Sequence, residues 1–308
     1  MGNMMTTRMV LFLWVLANAT GLVSAAEQET LVAQGKYVFR ASACESCHTD
    51  VENNGAFLAG GRAMETDFGT FYTPNITPDL DTGIGRWTLE DFRQAMMTGT
   101  RPDGSPYYPI FPYRWYTGML PEDIAALWAY LQSIEPIKNN VPPHDLKFPF
   151  TFRWLNWIWR LINFKPGKRI FDEQRPAQWN RGAYLVNHLG HCGACHTPKT
   201  FGNFIGIEFL GGSRKIPGVL PAPNITPSQK AGIGIWSQQD IVRALKRAIG
   251  PDGTPIRGPM AEYVLFGSSY LTDEDLNAMA IYLRSLPIKE QTVETVEEEI
   301  QEMLGHGD

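Results

Sequence analysis

His191-Cys192-Gly193-Ala194-Cys195-His196-Thr197 is the stretch on which the reading of this 308-residue chain turns. Two cysteines separated by two residues, with a histidine directly after the second, have the spacing that attaches a c-type haem. The spacing has a chemical reason. Each sulfur can add to one vinyl group on the porphyrin edge, and the adjacent histidine then lies under the iron as its proximal ligand. The same pattern stands earlier as Cys44-Glu45-Ser46-Cys47-His48. Two covalently bound haems c are therefore expected, attached through Cys44, Cys47, Cys192 and Cys195, with His48 and His196 on the iron.

The cysteine count agrees. The chain has 4 cysteines and all of them lie in the two motifs, so none is left for a structural disulfide. A zinc site needs four ligands, and each motif offers three with no supplementary pair nearby. The composition, 44% hydrophobic and 19% charged, is that of an ordinary globular protein and suggests neither disorder nor a polytopic membrane protein. Arg8 is followed by the apolar run 10–16 and then by the small residues Ser24-Ala25-Ala26. A basic start, a short apolar centre and a small-residue cleavage site read as a secretory signal peptide over 1–26. The centre is short of the roughly 20 apolar residues a spanning helix needs, although an uncleaved anchor is the alternative. Covalent haem attachment in bacteria takes place outside the cytoplasm, so the periplasm is the expected location. Removal of Arg8 leaves 26 of the 27 basic side chains against 32 acidic ones, a net charge of −6. That balance disfavours nucleic acid and suits a carrier steered to a basic patch on a partner.

Laying one motif over the other shows that a whole module is duplicated. Gly35-Lys36-Tyr37 precedes the first motif and Gly182-Ala183-Tyr184 the second. Gly60-Gly61 and Gly211-Gly212 follow. Pro74-Asn75-Ile76-Thr77-Pro78 is matched by Pro223-Asn224-Ile225-Thr226-Pro227, and Gly83-Ile84-Gly85-Arg86-Trp87 by Gly232-Ile233-Gly234-Ile235-Trp236. Asn75 to Trp87 and Asn224 to Trp236 are both 12 positions. Asp91 and Asp240, then Asp103-Gly104 and Asp252-Gly253, continue the same spacing. Both copies close on an amphipathic helix, 122–134 and 273–286. Segments of period 3.6 broken by Gly and Pro turns, with almost no alternation, predict an all-α fold. Its expected form is two tandem class I cytochrome c domains over 27–135 and 181–287. An aromatic-rich linker, 136–180, joins them, and an acidic tail, 288–308, follows. The Asn-Ile-Thr triplets match a glycosylation sequon, read here as coincidence. Each marks a loop near the haem, either a plain turn or a contact of Asn or Thr with a propionate.

The chain resembles the tandem cytochrome c domains of the cytochrome subunits that serve bacterial periplasmic dehydrogenases, such as those for alcohols, gluconate and aldehydes. Asn-Ile-Thr-Pro, Gly-Ile-Gly-x-Trp and Gly-Pro-Met-Ala-Glu carry the resemblance. The best-known members hold three haem domains, whereas this chain has two. The resemblance implies an electron-transfer protein rather than an enzyme, taking single electrons from a periplasmic dehydrogenase and passing them to a cytochrome or terminal oxidase. It also implies the sixth ligands. In Gly258-Pro259-Met260 the methionine stands eight residues after Asp252 on a short proline-framed loop. Met260 could be an ordinary core filler, but its surroundings match the ligand loop of that family. Eight residues after Asp103 stands Phe111, which cannot ligate iron. Met119 is the next methionine, and related dihaem cytochromes place a ligand there; Met96 and Met97 are weaker candidates, and an open haem 1 is the remaining case. An open haem 1 is what the rival function, a dihaem peroxidase or small-molecule oxidase, would need. The apolar Phe111, Tyr113 and Trp115 neighbourhood argues against it.

The linker holds Phe150, Phe152, Trp154, Trp157, Trp159 and Phe164, with Arg153, Arg160 and Lys165 among them. It is expected to pack its aromatic face between the two modules. The alternative is an interfacial helix giving peripheral membrane association, or a docking surface. His188 and His191 are expected at the surface or beside a propionate. His144 and His306 have no assigned role.

Overall fold

The computed structural model describes residues 26–290, apart from 168, 201–203, 206–208 and 214–220. The expected signal peptide (1–26, all but its last residue) and nearly all of the acidic tail therefore lie outside the described residues. The first repeat runs through α1 (26–41), α2 (Cys44–His48), the hairpin β1 (Ala63–Thr66) and β2 (Gly69–Tyr72), α3 (Leu89–Thr98), α4 (Tyr113–Tyr116) and α5 (Pro121–Ser133). β3 (Asp145–Leu146) and α6 (Leu155–Asn163) follow. The second repeat consists of α7 (Ala177–Tyr184), α8 (Gly193–His196), the short pair β4 (Lys199–Thr200) and β5 (Phe204–Ile205), α9 (Gln238–Arg247), α10 (Pro259–Phe266) and α11 (Asp273–Arg284). The protein is mostly helical, as expected, but not purely so. β1 and β2 pair antiparallel from Ala63↔Tyr72 to Thr66↔Gly69, and β3 adds to the other edge of β2 at Gly69↔Leu146. Strands this short carry no alternation to read.

Each repeat closes by crossing its first helix over its last, and the crossing needs glycine. A Cβ on Gly35 would lie 1.8 Å from the Ala126 carbonyl oxygen, and one on Gly182 would lie 1.9 Å from that of Ala278. No side chain fits there, so the backbones of α1 and α5, and of α7 and α11, touch. The duplicated aspartates have structural work. Thr88 with Asp91, and Ser237 with Asp240, form reciprocal capping boxes on α3 and α9, which satisfy two of the orphan N–H groups at each helix start. Asp103 and Asp252 accept the Ser105 and Thr254 backbone N–H at 2.8 and 3.0 Å. The intervening Gly104 and Gly253 take φ of 81° and 83°.

The copies differ by one residue. Seven positions separate Tyr37 from Cys44, and eight separate Tyr184 from Cys192. The extra residue is absorbed where α7 widens into a π-helical turn over Leu185–Leu189, with the Gly190 N–H reaching back to Leu185 O at 2.7 Å. A π-bulge is how a helix accommodates an insertion without losing its axis.

The two repeats pack face to face through a reciprocal pair of clasps. The Tyr37 hydroxyl of α1 donates to Asp275 of α11 at 2.6 Å and accepts the Thr272 N–H at 3.2 Å. The Tyr184 hydroxyl of α7 donates to Asp123 of α5 at 2.6 Å and accepts the Leu120 N–H at 3.1 Å. Each carboxylate is also held from within its own repeat, by Gln34 at 3.0 Å and by Arg181 at 2.8 and 2.6 Å. The buried apolar side chains of both repeats form one continuous cluster.

The aromatic part of the linker packs on the first repeat and not between the two, contrary to expectation; further on, the Ile170 N–H donates to His188 of the second repeat at 3.3 Å. Phe150 packs edge-on to Phe68 with ring centroids 4.6 Å apart, Phe164 packs on Tyr113 at 5.0 Å, and Arg153 stacks on Tyr108 at 4.5 Å. Arg160 donates to Thr100 at 3.1 Å, and the Gly167 N–H donates to Thr117 at 2.6 Å. The polar face of α6 therefore meets the first repeat, with Asn156 its one buried residue. Its apolar stripe, Trp154, Trp157, Ile158, Leu161 and Ile162, is exposed; Leu161 is 84% accessible and the nearby Phe148 80%. A globular helix normally does the opposite.

Candidate haem sites

Cys44–His48 and Cys192–His196 occupy equivalent short helical turns, each immediately after a residue in the left-handed conformation, Ala43 at φ 46° and His191 at φ 39°. Each motif is then tied to the loop downstream of it. Gly60 and Gly212 donate to the His48 and His196 carbonyls, both at 2.8 Å. The backbone N–H groups of Leu58 and Leu210 reach the Thr49 and Thr197 hydroxyls at 3.0 and 3.2 Å. Gly60 thus corresponds to Gly212, one position off the double-glycine register expected from the sequence.

His48 Nδ1 lies 2.8 Å from the Pro74 carbonyl, and His196 Nδ1 lies 2.7 Å from that of Pro223. A carbonyl can only accept, so Nδ1 carries the hydrogen and Nε2 keeps its lone pair. A carbonyl behind an imidazole is the arrangement that orients a metal-ligating histidine and raises its basicity. Burial pushes both histidines below their ordinary pKa, against the raising effect of the carbonyls, so both rings are neutral and able to donate to a metal. Burial likewise pushes the Cys44 and Cys192 thiols up to about 12 and raises that of Cys47. No disulfide joins the four cysteines.

The surroundings fit a large apolar group with a polar edge. Leu58 and Leu210, bonded to the threonine after each motif, belong to the common apolar cluster, which also holds Ile84, Met96, Leu189 and Ile233, with Phe57, Cys44 and Cys192 packed against it. The Tyr263 hydroxyl is buried without a partner and would lie 2.7 Å from a Cβ on Gly190, two residues before Cys192. The Ser42 hydroxyl, two residues before Cys44, is buried and unpartnered in the same way. Orphaned polar atoms at both sites are what an absent prosthetic group leaves behind.

Met119 is buried at 3% exposure in the turn between α4 and α5, its N–H bonded to Tyr116 O at 2.8 Å. Met260 opens α10 beside Gly258 (φ 64°) and is partly buried against the cluster. Phe111 packs on Tyr107, Tyr113 and Tyr116 with centroids 5.2 to 6.2 Å apart, an apolar neighbourhood. Met96 is buried on α3 and Met97 packs beside it.

The Asn-Ile-Thr elements do not face outward. Asn75 accepts the Thr77 N–H at 2.9 Å and donates to Ile137 O at 2.7 Å; Asn224 accepts the Thr226 N–H at 2.8 Å and donates to Lys289 O at 2.7 Å. Both asparagines are buried and clip the chain emerging from the closing helix, a role the sequence had left as a turn or a propionate contact. Their burial is also incompatible with a glycan. The neighbouring Pro74 and Pro223, whose carbonyls orient the histidines, went unremarked in the sequence. Their duplication one residue before each asparagine was the available clue.

His188 is not at the surface, as it was expected to be. It is buried, with Nδ1 2.8 Å from Trp115 O and Nε2 accepting the Ile170 N–H at 3.3 Å, so it brackets both repeats and the linker. His191 packs on Tyr116 at 5.4 Å. His144 accepts the Tyr72 N–H at 3.2 Å, and His306 lies outside the described residues. Among the described residues no group of three or more His, Cys, Asp or Glu gathers to hold a metal ion.

Two Cys-x-x-Cys-His turns, each with its histidine hydrogen-bonded through Nδ1 to a proline carbonyl, define a protein that carries c-type haem. The chain belongs to the cytochrome c family, whose model matches residues 32–135 and 164–287. It is 38% identical over 288 residues to the fructose dehydrogenase cytochrome subunit of Gluconobacter japonicus, covering 92% of this chain and 58% of that protein. It is 40% identical over 261 residues to a diheme cytochrome c-type protein of Cereibacter sphaeroides, covering 82% and 85%. With the gluconate 2-dehydrogenase cytochrome c subunit of Pantoea cypripedii it shares 35% identity over 317 residues, covering 99% and 71%. The chain thus spans less than two thirds of the fructose dehydrogenase subunit. Two family matches and a diheme relative accord with two covalently bound haems c.

Proposed function

We propose that this chain is an exported dihaem cytochrome c that relays single electrons in the periplasm from a dehydrogenase to a downstream cytochrome or terminal oxidase. Its cytochrome c domains span 27–135 and 181–287, with 136–180 between them, 1–26 as the export signal and 288–308 as the tail. The observation that carries this is the duplicated His–Pro carbonyl bond, Pro74 behind His48 and Pro223 behind His196. It fixes each ring and leaves Nε2 with its lone pair, so that His48 and His196 would ligate the iron of a haem attached through Cys44 and Cys47 or through Cys192 and Cys195. Met119 and Met260 would supply the second protein ligand in each repeat. Haem supplies reversible one-electron chemistry when bound; the residues anchor it, hold the ligands and exclude water. A methionine thioether as second protein ligand would raise the potential and close the iron to substrates, which favours transfer over turnover.

Met119→Ala and Met260→Ala, examined by absorption spectroscopy of the oxidised protein, test the ligands. Each variant should lose the methionine-to-iron charge-transfer band of one haem and leave the other. An unchanged haem 1 in Met119→Ala, together with peroxide turnover by the wild type, would replace this function with that of a peroxidase.

The exposed stripe of α6 supports peripheral membrane association. No helix among the described residues is long and apolar enough to cross a bilayer. Between Asp145 and Asp172 the chain carries no acidic side chain; apart from Arg153 and Arg160, which pack on the first repeat, it has Lys147, Lys165, Lys168 and Arg169, although the whole chain is net acidic. An apolar face with a basic flank is what binds an anionic membrane surface. Sedimentation with vesicles containing anionic lipid should retain the wild type and release Trp157→Ser/Leu161→Ser. Equal binding to purely zwitterionic vesicles would sink the electrostatic half of this reading.

A further inference from the structure

One ion pair joins the two sites directly. Arg62, just after the first repeat's Gly60-Gly61, donates through Nη1 to the Ser46 carbonyl inside the Cys44–His48 turn. The same guanidinium spans Glu262 with two bonds, 2.8 Å from Nη1 to Oε2 and 3.0 Å from Nη2 to Oε1. Glu262 lies on α10, two residues after Met260. Glu52 stands further off, at 3.9 Å, and is largely exposed. Arg62 and Glu262 are 19% and 33% exposed. That is enough burial for a planar two-bond pair to hold its geometry, unlike a surface ion pair, which is worth little. The Glu262 bond is the largest of the effects that raise the Arg62 pKa, so the guanidinium is a permanent cation.

We infer that Arg62 and Glu262 are a positioning pair through which the first repeat holds the methionine loop of the second haem and tunes the potential of the first. This rests on Met260 being the haem 2 ligand. Two physical arguments support it. Met260 sits on the first turn of α10, after Gly258 (φ 64°) and Pro259, on the same turn as Glu262, whose N–H bonds the Gly258 carbonyl at 3.2 Å, so a pull on Glu262 is transmitted to Met260. The carboxylate two residues on is tied to a rigid turn of the other repeat. Arg62 also places positive charge against the peptide between Cys44 and Cys47. Fixed charge near a haem shifts its potential, because oxidation adds a positive charge to the iron.

The test uses the full-length holoprotein in a Met119→Ala background, so that any remaining methionine band belongs to haem 2. Haem content and far-UV circular dichroism serve as folding controls. Arg62→Gln should lower the midpoint potential of haem 1 and, from the other repeat, weaken the haem 2 methionine band. Glu262→Gln should weaken the same band but raise the haem 1 potential. Arg62→Lys keeps the charge without the two-bond geometry, so it should hold the haem 1 potential while still weakening the band. If Arg62→Gln leaves the band and the haem 1 potential at their starting values, the inference is wrong. If Met260→Ala leaves the band in place, the ligand assignment itself has failed instead.

Discussion

At the scale of single residues, the two crossing glycines and the turn glycines make opposite demands. Gly35 and Gly182 face backbone atoms that cannot move aside, at 1.8 and 1.9 Å from an added Cβ. Gly253 has open space around it and only its φ of 83° to maintain. Gly182→Ala should therefore cost about 3 kcal/mol or more, the upper range of overpacking. Gly253→Ala should cost about 1 kcal/mol, the penalty for a side chain in left-handed backbone. Urea unfolding of the two variants checks the order; equal losses would show that the helices separate easily. The glycines of the crossings were visible in the sequence as the repeated Gly-x-Tyr, but their purpose was not, because the atom each one avoids lies about 90 residues away. His188 shows the same limit. Sequence proximity to Cys192 suggested a propionate or the surface, whereas the groups that bury it, Trp115 and Ile170, come from the first repeat and the linker.

Elements were legible where periodicity or a cap marked them. α3, α5, α9 and α11 follow their apolar spacing, and the capping aspartates stood in register in both copies. β3 was not legible, since two residues hold no pattern, and neither was the π turn, whose only sign is one extra residue before Cys192. The pairing of elements across the interface was wholly hidden, although it carries a pH dependence. Burial alone would raise the Asp275 carboxyl, but the bonds from Arg181 and Tyr37 more than offset it, and its pKa lies below the ordinary value. A depressed pKa means that the unfolded chain takes up the proton first as pH falls. The stabilisation is then complete above the ordinary carboxylate value of about 4 and is lost as pH falls toward the folded value. Asp275→Asn should be about 2 kcal/mol less stable at pH 7, in the range for hydrogen bonds to charged groups. It should also lose less stability than the wild type on acidification from pH 5 to pH 3. Parallel pH profiles for the two proteins would remove Asp275 from the interface.

For the whole molecule, the question is whether two haem modules behave as two bodies or one. Domains joined only by a linker move and unfold independently by default. Here the aromatic part of the linker is spent on the first repeat, and the repeats are joined by the Tyr37–Asp275 and Tyr184–Asp123 clasps, the Arg62–Glu262 pair, the His188 bonds and a continuous apolar cluster. Separating the repeats would exchange the clasp hydrogen bonds for bonds to water and expose the shared apolar cluster. Each hydrogen bond to a charged group contributes about 1.5–3 kcal/mol. The holoprotein should therefore unfold in one transition, with the helical signal and the methionine bands of both haems lost together. Tyr37→Phe/Tyr184→Phe removes both clasps and leaves each repeat's own helix crossing intact. In that variant the two bands should be lost at separate denaturant concentrations. A wild type that already unfolds in two steps would mean that the interface holds the haems near one another without making the modules a single cooperative unit.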